Sequence, residues 1–226
     1  MASVVQRLAR QARLTFTFPP RVGEEPGRFF LENLAELRRM MFEVQAADLR
    51  LVPVPQRAES CSVPVSYMHI CETEQFSMGV FLLRPGASIP LHDHPDMHGL
   101  LRVLYGTVRL SCLDRPVPVQ YAVRGPPLLR SVLRSSALYT EHSGPCVLHP
   151  DRDNLHRVEV VDGPSAFLDI LAPPYDPDQG RDCHYYRVLG GPEPAVSGTE
   201  VWVTEVPQPE EFRCGGEQYQ GPPVRL

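Results

Sequence analysis

The 226-residue chain contains no lysine; all 22 of its basic residues are arginine. Without a side-chain amine there is no Schiff-base lysine, and that form of covalent catalysis is excluded. The arginines are scattered and the net charge is −5, so nothing draws the chain as a whole to nucleic acid or to an anionic membrane. Six cysteines (Cys61, Cys71, Cys112, Cys146, Cys183, Cys214) include no Cys-x-x-Cys pair. They are too few and too dispersed for a disulfide scaffold, and the expectation is an intracellular chain with reduced thiols. Apolar runs such as Gly79–Leu83 fall far short of the ~20 residues of a membrane span. Arg7, Arg10 and Arg13 interrupt any apolar core of a secretory signal. The chain also lacks Gly-x-Gly-x-x-Gly and phosphate-cradling loops, which argues against a nucleotide cofactor.

Proline is abundant instead, at 25 residues, roughly twice the ordinary ~5% share. Each interior proline costs a helix ~3 kcal/mol, so short strands and turns are expected rather than a helical bundle. Residues 1–23 hold four arginines and no acid, as a mitochondrial presequence does. Val4, Val5, Leu8 and Ala12 nevertheless share one helical face, and an ordinary first helix is the preferred reading. Phe30, Leu34, Leu37 and Met41 recur at helical spacing and predict a helix from about 29 to 49. Pro53 and Pro55 open a linker that runs to about residue 64.

From Val65 the texture becomes β-type, with strands expected near 65–72, 76–84, 100–112, 145–149, 155–161, 165–172 and 200–206. Short strands separated by turn signals predict an antiparallel sandwich or barrel. Residues 113–135 read as a surface excursion with weaker strand signals at Pro118–Val123. Residues 1–64 are expected to form a helical segment and linker packing on the barrel, and 65–226 the barrel domain, the two making one structural unit. No coiled-coil heptad calls for a second copy, so a monomer is expected.

The chemistry is carried by histidine. His92 and His94 lie in Pro90-Leu-His-Asp-His-Pro95, and residues i and i+2 of an extended segment project to the same face. His156, in Asn154-Leu-His-Arg-Val158, opens another predicted strand. Three neutral imidazoles from two strands make a divalent-metal site with open coordination positions. Gly86, six residues before His92, and Gly106, twelve after His94, complete a pattern that resembles the first motif of the cupins, the double-stranded β-helix barrels. Most cupins place a Glu ligand four or five positions after the second His, where this chain has His98 and Gly99. Three-His cupins include thiol dioxygenases. Residues 67–111 and 154–188, and above all His-Asp-His-Pro-Asp-Met-His-Gly together with Leu-Ala-Pro-Pro-Tyr-Asp-Pro-Asp-Gln-Gly-Arg-Asp-Cys-His-Tyr-Tyr, resemble the plant cysteine oxidase and cysteamine dioxygenase family.

That resemblance implies a mostly-β cupin barrel preceded by helices, with one Fe(II) per chain on His92, His94 and His156 and O2 as co-substrate. It implies oxidation of thiols to sulfinates, with cysteamine (giving hypotaurine) and proteins or peptides bearing an N-terminal Cys as substrates. Oxygen-dependent degradation of such proteins would follow, in the cytoplasm and by extension the nucleus. Asp169, in the apolar run Phe167–Leu171, is expected to contact a ligand histidine or the substrate amine, or to be a structural hydrogen-bonding partner. Tyr175 is expected to line the mouth of the site or to pack as a loop aromatic. The resemblance suggests a thioether cross-link between Cys183 and Tyr185, against a buried thiol beside an ordinary tyrosine. His98 is assigned a supporting or surface role, and His69, His142, His149 and His184 none. Rival readings are another metallo-cupin, an isomerase or a dioxygenase acting on carbon, and a cupin that only binds.

Overall fold

The computed structural model describes residues 2–52, 63–119, 127–190 and 196–226. Helix α1 spans Val4–Thr15, and its N-cap Ser3 side chain accepts the Gln6 N–H at 3.1 Å. Val5, Leu8, Ala9 and Ala12 form its buried stripe. Helix α2 spans Arg28–Glu43 and buries Phe30, Leu34, Leu37 and Met41, the face the spacing predicts. It is shorter than expected, because the chain breaks at Val44 and Gln45 and closes a separate 3-10 turn over Ala46–Leu49. The buried Arg102 guanidinium ties α2 to the sheet. It donates to the carbonyls of Phe42 at the helix end (3.1 Å), Glu141 (2.6 Å) and Ser143 (2.7 Å), so its charge is met by backbone dipoles rather than left unpaired.

Among the described residues the strands are β1 (Val65–Glu72), β2 (Ser77–Leu83), β3 (Ser88–His92), β4 (His98–Leu113), β5 (Val117–Pro118), β6 (Leu129–Tyr139), β7 (Cys146–Leu148), β8 (Leu155–Ala172), β9 (Tyr185–Leu189), β10 (Glu200–Val206) and β11 (Cys214–Glu217). The circuit β8–β3–β9–β10–β6–β4 returns to β8, every step antiparallel. This closed six-strand barrel with two N-terminal helices is the expected fold class. Two expectations fail locally. Residues 155–161 and 165–172 are one continuous strand, because β4 pairs along its whole length and bridges Gly163 and Pro164. The excursion at 113–135 contains much of β6, a wall of the barrel held between β4 and β10. Arg130 and Arg134 lie on the exposed face of that strand. The Pro55 linker and most of Pro118–Val123 lie outside the described residues.

Two long strands, β4 and β8, organise everything else. Their ladder runs from His98↔Ala172 to Leu113↔Leu155 and breaks register around Tyr105 and Thr107. A straight ladder would put His156 and Asp169 about 40 Å apart at ~3.3 Å per residue. Instead it folds back: Val103 and Phe167 from one arm share a core cluster with Leu110, Cys112 and Val158 from the other. Cys112 of one arm lies 3.7 Å, sulfur to sulfur, from Cys146, which pairs beside Leu101 on the other. Met78, Val80, Leu100, Leu168 and Ile170 face the opposite way, under α1 and α2. Asp169 thereby faces the barrel interior.

The bend depends on Gly106, which has φ +81°; a Cβ there would strike Ser165 Oγ and lie 2.6 Å from the Pro164 carbonyl oxygen. Gly86 also has positive φ, at +75°, but has open space around it. Gly86→Ala should therefore cost about 1–2 kcal/mol, the left-handed backbone penalty alone. Gly106→Ala should cost clearly more, since backbone has to move as well. Urea unfolding of the two variants measures the difference, and equal losses would refute this account of the bend.

Candidate metal centre

Strand β3 ends at His92, which stands in register with His156 at the start of β8 and with Tyr185 at the start of β9. Two residues on, His94 returns to the same side. The three imidazoles offer nitrogen atoms that all lie within 4.8 Å of one another, with ring centroids 4.6–4.9 Å apart. His92 Nδ1 donates to the Pro90 carbonyl and His94 Nδ1 to the Asn154 carbonyl, each at 2.8 Å. A carbonyl only accepts, so the proton is fixed on Nδ1 and each Nε2 is a bare lone pair. Burial pushes all three histidines below the ordinary pKa, His94 to about 3. They are therefore neutral donors at physiological pH.

His156 Nδ1 is buried without a hydrogen-bond partner. An unsatisfied polar atom of this kind costs roughly 1–3 kcal/mol. The open lone pairs of the three imidazoles converge on one point, and a trio of neutral nitrogens suits iron, zinc, copper or nickel. Among the described residues no carboxylate joins the cluster. His98, at the position where a carboxylate ligand is usual, turns outward and packs against Phe16, Phe30 and His149. It is neither a surface residue nor a support of the trio.

Two residues that the sequence reading passed over hold the ligands in place. Asp93 sits between the two β3-side histidines and, by strand alternation, points away from them. Its Oδ1 accepts the His184 N–H at 2.8 Å, its Oδ2 accepts the Tyr186 hydroxyl at 2.9 Å, and both oxygens lie 3.2 Å from His184 Nδ1. His184, which was assigned no role, is part of this clamp. Asn154 Oδ1 accepts the His94 N–H at 3.1 Å, and its Nδ2 donates to the carbonyls of His94 (2.8 Å) and His149 (2.9 Å). The available signal was adjacency: a polar side chain between or beside ligands has its own backbone neighbours to hold.

Of the remaining residues singled out in the sequence, Tyr175 and Tyr185 flank the trio directly. Tyr175 packs on His94 with ring centroids 5.8 Å apart and donates its hydroxyl to the Asp93 carbonyl at 2.6 Å. Tyr185 stands 6.4 Å from the His92 ring. The Cys183 thiol interacts with both tyrosine hydroxyls, and burial pushes its pKa up to about 11. Asp169 faces the interior in register with Gly79, where any Cβ would run into the Tyr67 ring. Its Oδ1 has no partner, and burial raises its pKa to about 7. Tyr67, Phe81 and Phe167 continue this wall as a run of touching rings.

Comparison with known proteins follows the same lines. The family model described as PCO_ADO matches residues 35–224. The chain is 53% identical to 2-aminoethanethiol dioxygenase of Mus musculus (99% of this chain, 97% of the relative) and 48% identical to that of Homo sapiens over the same shares. It is 30% identical to plant cysteine oxidase 1 of Arabidopsis thaliana, covering 85% of this chain and 72% of the relative.

Asn154→Ala should weaken metal retention about 10–100-fold, the usual effect of losing a partner that orients a ligand, while unfolding remains cooperative. Competition with a chromophoric chelator measures this. Asp169 gives a second expectation, for metal-free protein. Its folded pKa, about 7, lies above the ordinary 3.8, so the folded state binds the extra proton and stability falls as pH rises from about 4 to 7. Three pKa units correspond to roughly 4 kcal/mol. Asp169→Asn should abolish most of that slope, and an unchanged slope in urea melts across this range would contradict the assignment.

Proposed function

The chain belongs to the PCO_ADO family, and from that premise we propose that it is an Fe(II)-dependent thiol dioxygenase. The observation that carries the reading is the all-nitrogen trio His92, His94 and His156, set in a chain nearly half identical or more to two 2-aminoethanethiol dioxygenases. Conversion of a thiol to a sulfinate removes four electrons and O2 accepts four, so RSH + O2 gives RSO2H with no other reductant. Iron bound to the trio would supply undiminished positive charge that favours a thiolate, together with the capacity to react with O2.

The protein's own groups do the rest. The imidazoles remain neutral because they are buried, and Asp93 and Asn154 fix their direction. Asp169 offers its unpartnered oxygen to the ammonium group that cysteamine and an N-terminal cysteine have in common. Tyr67, Phe81 and Phe167 exclude water from that side and Tyr175 closes the side beside His94. We propose both substrate types, and with the N-terminal cysteine a role in making partner lifetime depend on oxygen. The match to a plant cysteine oxidase supports the latter.

The test is anaerobic loading with Fe(II), then exposure of cysteamine and of a Cys-initiated peptide to 18O2. Mass spectrometry should show two labelled oxygens on sulfur, lost in His94→Ala. Thiol left unmodified by iron-loaded enzyme would transfer the assignment to another metal-dependent reaction. In Asp169→Asn, KM for both substrates should rise at least tenfold, with a smaller effect on a thiol that has no amine.

A further inference from the structure

Strands β3 and β9 close the six-strand circuit with a single pair. His92 stands opposite Tyr185, and beside them the Asp93 N–H donates to the His184 carbonyl at 3.1 Å. Among the described residues these two strands pair nowhere else. On its other edge β9 pairs with β10 at every residue from Tyr185 to Leu189, and β3 pairs with β8 at Ser88, Ile89 and His92. Pro90, which has no N–H, falls at the register break between Ile89 and His92, as expected of a proline inside a strand. From the one bridge the two strands diverge, and their facing edges are left without a partner strand. Such an edge is the surface to which an extended chain can be added.

A cleft of about 670 Å³ occupies the divergence. Its lining includes Ser88 and Leu91 of β3, Tyr186 and Val188 of β9, and Pro209 and Phe212 of the segment after β10. Two apolar clusters part here: Leu91, Tyr186 and Val188 belong to one and Phe212 to the other. The walls are held in place. The Tyr186 hydroxyl donates to Asp93 at 2.9 Å, and the Phe212 N–H donates to the Pro209 carbonyl at 3.0 Å. The inner end adjoins the metal centre through two ring contacts, because Phe212 lies 6.0 Å from Tyr185 and Tyr185 lies 6.4 Å from His92. That path is at most about 12 Å, which about four residues of extended chain cover at ~3.3 Å each.

Building on the thiol dioxygenase reading, we propose that this cleft receives the stretch of a polypeptide substrate that follows its N-terminal cysteine, held as an added strand on β3. Direction selects this occupant. β3 runs toward the trio and β9 runs away from it. A chain that starts at the trio and leads outward is therefore antiparallel to β3, the slightly more stable way to pair. Its first four residues or so pass Tyr185 and Phe212, and about three more lie along Ser88–Leu91, a span of about 10 Å. Main-chain hydrogen bonds hold such a strand, and alternate side chains meet Leu91 and Val188 in the cleft. Cysteamine ends before the cleft begins. The two substrate types thus share the chemistry at the trio, and only the polypeptide gains from the second contact.

The experiment titrates the full-length, iron-loaded chain without O2, using Cys-initiated peptides of four, eight and twelve residues, and then admits O2. Affinity should rise about tenfold or more from four residues to eight and change less than about twofold from eight to twelve. N-methylation of successive peptide nitrogens from the fifth residue to the eighth should weaken binding at alternate positions, a pattern that apolar contact alone does not produce. Ser88→Trp fills the cleft and should return the eight-residue peptide to the affinity of the four-residue one. Cysteamine turnover should be unchanged in that variant, which also shows that it is folded. Equal affinity at all lengths, or an eight-residue peptide indifferent to Ser88→Trp, overturns the proposal even if both substrates are oxidised. Equal weakening by every N-methyl group overturns the strand pairing. Length-dependent binding that Ser88→Trp abolishes, with no sulfinate formed once O2 is admitted, upholds the cleft and overturns the dioxygenase reading instead.

Discussion

The structure depends on the two-residue repeat of an extended chain at His92-Asp93-His94. Alternation sends the two imidazoles inward and the carboxylate between them outward. Had the segment been helical, the histidines would diverge by about 200° around the axis, at 100° per residue. Extended, they meet His156 within 4.8 Å, and Asp93 is left free to bind His184 and Tyr186 on the far side. One local conformation therefore makes the donor set and also anchors it. Burial then keeps the donors uncharged, and with no carboxylate in the cluster among the described residues a cation held there would keep its full charge.

Much of this was legible from residue order. The helical stripe at Phe30, Leu34, Leu37 and Met41 and the strand at 200–206 were visible because one face of each is apolar and periodicity reports a single buried face. β6 was hidden for the converse reason. Leu129–Tyr139 mixes Leu and Val with Arg and Ser on both of its faces, and near so many prolines that looks like a loop. The apparent gap at Gly163-Pro164 was misleading because local turn chemistry was overridden by a partner strand paired on both sides of it.

The site was legible to the extent that its chemistry is unusual in a single residue type. Histidine at i and i+2 declares itself. Asp93, Asn154 and His184 do not, because their importance lies in contacts between β9 or the Asn154 loop and the β3 end. Their residue types are common and only the topology gives them partners. His98 shows the opposite error: proximity along the chain suggested involvement, whereas one turn of register placed it on the outer face beneath Phe16 and Phe30.

The folding-over of the β4–β8 ladder at Gly106 gives the barrel the mechanics of a hinged pair of arms. His156 and Asp169 sit some six or seven residues from the pivot, on arms of about 20 Å. An angular error of about 3° at the pivot becomes about 1 Å at the tips, a displacement that can cost ~100-fold in rate when it separates reacting groups. The placement of the histidine trio relative to the Asp169 carboxyl is thus amplified from a glycine that touches neither. Small leverage errors there should register first as poor turnover, well before the barrel comes apart.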